Sequence, residues 1–172
     1  MILFVCTGNT CRSVLAEGLA RRWLAEQGQE GCFRVGSAGL AACPGEPASP
    51  PAVRVGREQG VDLSGHQARQ FAPHLAEEAD YILAMTESHK RQLLRLLPEA
   101  EEKIFALREL AAKLRPPAQS LTGGRQWDIP DPWGQSEQIY RETARQLAEI
   151  IEHLLPAIVE AGEKTDESCP GQ

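Results

Sequence analysis

Ile2, Leu3, Phe4 and Val5 form an unbroken apolar run, and a polar, glycine-containing turn, CTGNTCRS, follows at once. Consecutive apolar residues bounded by a turn signal predict a short buried strand over 2–5. Beyond the turn the spacing changes. Leu15, Leu19, Trp23 and Leu24 recur at helical intervals and Gly28 supplies a stop, which predicts a helix over 13–27. A buried strand, a tight turn and a helix in that order are the opening unit of a parallel α/β sheet. They place residues 7–13 at the carboxyl edge of the strand, where open α/β sheets bind ligands.

The alternation continues along the chain. Strands are predicted at 33–38, 81–85 and 103–107, and helices near 51–58, 72–79, 87–97 and 109–114. A Pro/Gly-punctuated loop spans 115–133, and loops of that length inside a domain are often functional. The longest helix, 136–155, has Ile139, Ala144, Leu147, Ile150, Ile151 and Leu154 marking its buried face, and Pro156 kinks or ends it. The expectation is one three-layer α/β domain over 1–156. It has a central four-stranded parallel sheet, helices on both faces and a phosphate-binding loop after the first strand. Residues 157–172 are expected to be a polar C-terminal tail.

Composition excludes several classes. A chain of 172 residues suits one domain. Its net charge of −6 argues against nucleic acid or an anionic membrane as a bulk partner. No apolar stretch reaches the ~18 residues of a membrane span. The first residues lack the basic region and cleavage site of a secretory signal. Five cysteines are an odd number in a chain able to build its own core, so the cytoplasm is expected rather than a disulfide framework. His66, His74, His89 and His153 are scattered, and no CxxC pairs have zinc spacing, so no metal site is expected.

The turn after the first strand carries the chemistry. A helix N-terminus presents free N–H groups and a positive dipole end, which suits an anion. Gly8 and Asn9 let successive N–H groups curl into a nest. Arg12 adds a planar fork of donors that matches two phosphoryl oxygens. Cys6 lies at the base of this nest, where cationic partners and helix N–H groups favour a thiolate. A thiolate beneath a bound phosphoryl group is a nucleophile aimed at phosphorus. A cysteine after a strand is usually only a small core residue, but that bland role needs neither Gly8 and Asn9 nor Arg12. The nucleotide-binding pattern GxxxxGK[ST] is absent. Phosphoryl transfer also needs an acid for the leaving group, and the segment DIPDPWG offers Asp128 and Asp131 on the long loop.

Four segments together, VCTGNTCRS, VGSAG, SGHQARQ and DIPDPWG, resemble the low-molecular-weight protein-tyrosine-phosphatase family in order and spacing, out to about Leu155. The resemblance implies that Cys6 becomes phosphocysteine, and that Arg12 and the backbone N–H groups of Thr7, Gly8, Asn9, Thr10, Cys11, Arg12 and Ser13 bind the phosphoryl oxygens. It implies that Asp131 protonates the leaving group and then activates water, with Asp128 the fallback. Ser13 is implied as a donor to the Cys6 sulfur, and Ser37 and His66 as supports of a strained Asn9. No metal and no cofactor are implied. The partners it implies are phosphorylated protein substrates.

Thr10 bears on the substrate. Tyrosine-directed members usually carry an aliphatic residue here, whereas members resembling protein-arginine phosphatases read CTGNTCRS as this chain does. A polar β-branched side chain beside the reaction centre suits a guanidinium leaving group. Trp133 supplies an aromatic pocket wall that can stack on a phenyl ring or a guanidinium. Phosphoarginine is therefore the expected substrate and phosphotyrosine the alternative. Val14 stands where the family usually has proline, and Leu40 or Cys43 where mammalian members place an aromatic wall. Cys11, five residues from Cys6, is placed to trap an oxidised Cys6 as a disulfide. Cys32, Cys43 and Cys169 are assigned no role. An arsenate reductase of this fold needs further redox cysteines near the third strand, and 67–95 contains none. A non-catalytic phospho-ligand module has no use for a thiolate or for Asp131.

Overall fold

Every residue of β1 (Ile2–Cys6) is buried, because β1 is an inner strand of a four-stranded, wholly parallel sheet. The computed structural model describes residues 1–115 and 127–162. The strand order is β2-β1-β3-β4, with β2 spanning Val35–Gly39, β3 Tyr81–Ala84 and β4 Ile104–Ala106. Ile2 pairs with Val35 on one side and Tyr81 on the other. The helices are α1 (Arg12–Glu26), α2 (Pro50–Glu58), α3 (Pro73–Glu78), α4 (Glu87–Leu96), α5 (Leu107–Leu114) and α6 (Glu137–Gly162). A 3-10 turn, Pro98–Lys103, joins α4 to β4.

The period-2 alternation of β1 divides the core into two layers. Ile2, Phe4 and Cys6 face one cluster with Leu15 and Leu19 of α1, Leu110 of α5 and Leu147 and Ile151 of α6. Leu3 and Val5 face the other with Leu75 of α3 and Leu93 of α4. This is the expected three-layer α/β architecture.

The differences are local. β2 begins at Val35 rather than 33, leaving Phe33 outside the strand and packed on the core. α5 begins at Leu107 because the Glu109 carboxylate accepts the Ala106 N–H at 3.0 Å. Pro156 does not end α6. Its missing N–H removes one helical bond, yet the helix runs on to Gly162, with Ile158 and Val159 buried in the core. The expected domain boundary at 156 therefore falls inside α6. Tyr140, in phase with Ala144 and Leu147, takes the buried position expected of Ile139, which is 40% exposed. Cys32, which was assigned no role, is disulfide-bonded, against the expectation of no disulfide framework. Residues 116–126 of the long loop, and Cys169 with the rest of 163–172, lie outside the described residues. Among the described residues, no helix is long and apolar enough to cross a membrane.

Candidate active site

β1 ends at Cys6 and α1 starts at Arg12, so residues 7–11 form the turn between them. Asn9 is fully buried with φ of 57°, the one positive φ outside glycine among the described residues. Asparagine tolerates this region better than most residues, and four partners hold it there. Its Nδ2 donates to Ser13 Oγ at 2.9 Å and Ser37 Oγ at 2.8 Å. Its Oδ1 accepts the Arg69 N–H at 3.0 Å. Its carbonyl accepts from His66 Nε2 at 2.7 Å. Ser37 in turn donates to the Glu17 carboxylate. Ser37 and His66 both contact Asn9, and Arg69 and Glu17 complete the clamp.

The clamp fixes what surrounds the sulfur. Ser13 Oγ lies 3.0 Å from Cys6 Sγ. Because Ser13 already accepts from Asn9, its own proton is available to the sulfur. The Asn9 N–H donates to the same sulfur at 3.3 Å. Gly39, the last residue of VGSAG, leaves room for this loop: a side-chain carbon there would stand 2.5 Å from the Thr7 carbonyl oxygen.

Arg12 is 4% exposed and reaches the DIPDPWG segment. One terminal nitrogen donates to the Ile129 carbonyl at 3.2 Å, the other to Asp131 Oδ2 at 2.6 Å. Arg12 Nε has no hydrogen-bond partner among the described residues. Asp131 is half-exposed, and its other oxygen accepts the Trp133 N–H at 3.1 Å. Trp133 itself is 72% exposed at the end of this segment. Asp128 has a different position: its Oδ1 accepts the Glu87 N–H at the start of α4 at 2.8 Å. The two candidate acids therefore differ in surroundings, with Asp131 on the Arg12 guanidinium and Asp128 on a helix N-terminus.

The loop's outer residues are held from two further sides. Thr10 is nearly buried, and its carbonyl accepts the Ser49 N–H at 2.9 Å. Cys11 Sγ donates to Ser49 Oγ at 3.3 Å and lies 3.3 Å from the Tyr140 hydroxyl, to which Ser49 donates at 3.3 Å. Burial, then the bond to Cys11, push the Tyr140 phenol up to about 12, so it stays protonated. Ser49 is also the N-cap of α2. Thr7, on the exposed rim, meets His89 Nε2 at 2.8 Å. Burial, with the Arg12 charge second, pushes the His89 ring down to about 4, so it is neutral at pH 7. Tyr140 and His89 escaped the sequence analysis. The available signals were Ser49-Pro50 and Thr86-x-x-His89, both helix N-cap patterns. Cys43 is exposed, and Leu40 packs on the inner cluster of Leu3 and Val5.

The low molecular weight phosphotyrosine protein phosphatase family model matches residues 1–164. A protein-arginine-phosphatase of Bacillus subtilis is 35% identical over 89% of this chain and 93% of its own length. The low molecular weight protein-tyrosine-phosphatase Wzb of Escherichia coli K12 is 34% identical over 87% and 94%. Among solved structures, a cysteine-to-serine mutant of YwlE arginine phosphatase with a phosphorylated active-site serine superposes with a TM-score of 0.81. It is 33% identical and covers 96% of this chain and 97% of that one. A match over almost the whole chain, together with relatives above 30% identity, makes this chain a member of the low molecular weight phosphotyrosine protein phosphatase family.

Proposed function

We propose that this protein is a cysteine-dependent protein phosphatase that hydrolyses phosphoarginine side chains through a phosphocysteine intermediate. The observation that carries it is one cluster: a buried thiol with two donors on its sulfur, a buried guanidinium with a free Nε, and a half-exposed carboxyl on that guanidinium. Backbone N–H groups of residues 7–13 and Arg12 bind three phosphoryl oxygens, a positioning and charge effect. The Cys6 sulfur attacks phosphorus as the P–N bond breaks, and Asp131 gives its proton to the departing guanidine nitrogen. Water then attacks phosphocysteine while the Asp131 carboxylate takes its proton. The S–P bond breaks and the sulfur leaves as thiolate, met by the Ser13 hydroxyl and the Asn9 N–H. The products are an unmodified arginine side chain and inorganic phosphate.

The arginine preference rests on Thr10 and on the kinship with a protein-arginine-phosphatase. The test compares phosphoarginine and phosphotyrosine peptides with wild type and Thr10→Ile. Wild type is expected to prefer phosphoarginine, and Thr10→Ile to shift that preference toward phosphotyrosine by about tenfold, equivalent to ~1.4 kcal/mol. Equal preference in both proteins removes the arginine reading. The kinship with Wzb favours the alternative, a tyrosine phosphatase.

Control by oxidation belongs to the same reading. Cys6 and Cys11 are both free thiols, and Cys6 must be reduced to act as the nucleophile. Peroxide oxidises Cys6 to a sulfenic acid, and the Cys11 thiolate displaces water to form the disulfide. A peptide map of mildly oxidised protein is expected to contain a Cys6–Cys11 bridge that dithiothreitol reverses. Cys6 going on to sulfinic acid with no bridge overturns this.

A further inference from the structure

We propose that His89 is a positioning residue that holds the Thr7 hydroxyl at the pocket rim, where that oxygen accepts a hydrogen bond from the guanidine N–H groups of the leaving side chain. This deepens the phosphoarginine reading and rests on it.

The case begins at the N-cap of α4. Thr86 Oγ1 accepts the His89 N–H at 3.1 Å and lies 2.9 Å from His89 Nδ1. His89 Nε2 lies 2.8 Å from Thr7 Oγ1. The ring is 5% exposed, and the charged groups facing it are Arg12, Asp131 and Asp128. A neutral imidazole carries one proton, so only one of its two nitrogens donates. If Nδ1 carried it, the Thr86 hydroxyl proton would have no acceptor among the described residues. If Nε2 carries it, Thr86 donates to Nδ1 and Nε2 donates to Thr7, and each donor has one acceptor. That arrangement leaves Thr7 with one lone pair and its own proton unused, on an exposed residue next to the nucleophile.

Chemistry then selects the ligand. In a phosphorylated guanidine, N–H groups flank the nitrogen that leaves. In a phosphorylated phenol, the corresponding positions are ring C–H groups, which are poor donors. An oxygen fixed at the rim with a free lone pair discriminates between the two. Burial, with the Arg12 charge second, keeps the ring neutral, so the ring does not add a second positive charge beside the substrate's guanidinium group. His89, on the helix that follows β3, thereby contributes to specificity without touching the phosphoryl group.

The experiment measures kcat/KM for a phosphoarginine peptide and for p-nitrophenyl phosphate in wild type, Thr7→Val, His89→Phe, the double variant and His89→Gln. Thr7→Val and His89→Phe are each expected to lower phosphoarginine turnover about tenfold more than p-nitrophenyl phosphate turnover. The double variant should lose no more selectivity than either single one, because both remove one contact. His89→Gln, whose amide can still donate to Thr7, should recover most of the selectivity. Equal losses on both substrates, or additive loss in the double variant, overturn the proposal. Thermal melting of each variant separates lost folding from lost selectivity. Failure of wild type to hydrolyse phosphoarginine at all defeats the underlying functional reading instead, so the two failures are distinct.

Discussion

Cys6→Ser is expected to lower hydrolysis of phosphoarginine peptides and p-nitrophenyl phosphate by roughly 10⁴-fold or more, the scale of losing an enzyme's nucleophile. The reason lies in the contacts of the sulfur. They are donors, Ser13 Oγ and the Asn9 N–H, which stabilise negative charge but remove no proton. A thiol can present its anion in such a place, whereas a hydroxyl needs a base, and the nearby imidazoles of His66 and His89 are engaged by the Asn9 carbonyl and Thr7. Serine is close in size to cysteine, so the clamp on Asn9 should survive. Inorganic phosphate should therefore still bind and raise the melting temperature by mass action. Residual turnover above a tenth of wild type would mean that Cys6 is not the nucleophile.

Asp131→Asn is expected to reduce kcat on phosphoarginine by ~10²–10⁴-fold, the usual contribution of a general acid. Binding should move the other way. The Asp131 carboxylate lies on one end of the Arg12 guanidinium at 2.6 Å. A phosphoryl group competes with that carboxylate for the same guanidinium. Asparagine keeps the shape, and its side-chain oxygen can still accept the Trp133 N–H, but it removes the competing charge. The inhibition constant of inorganic phosphate should be unchanged or lower in this variant. Weaker phosphate binding would show that Asp131 holds Arg12 in place rather than competing for it. A normal kcat would move the acid to Asp128. The bond from the Glu87 N–H to Asp128 makes that outcome unexpected, because it ties Asp128 to the start of α4.

These residues also mark how far a linear reading reaches. Cys6 and the Arg12–Ser13 pair flank one short turn, so their proximity follows from strand, turn and helix alone. The parallel sheet was legible for the same reason: apolar runs and helical spacing are local patterns. The course of α6 past Pro156 was not legible. A proline signals the loss of one hydrogen bond, whereas the gain from burying Ile158 and Val159 depends on the sheet they pack against. His89 was invisible for a similar reason. A histidine two residues into an amphipathic helix reads as surface, and only the adjacency of β1 and β3 carries its ring to Thr7, 82 positions away.

The amino-acid sequence by itself determined the anion-binding turn and put its candidate nucleophile and cation together, because a strand–turn–helix junction builds its own field from neighbouring residues. The spacing of the residues left Asp128 and Asp131 as alternatives and gave His89 no role; tertiary structure brought Asp131 to Arg12, His66 to Asn9 and His89 to Thr7. Those contacts join segments 57 to 119 residues apart, and their geometry is set by strand order and by the packing of two helical layers on one sheet.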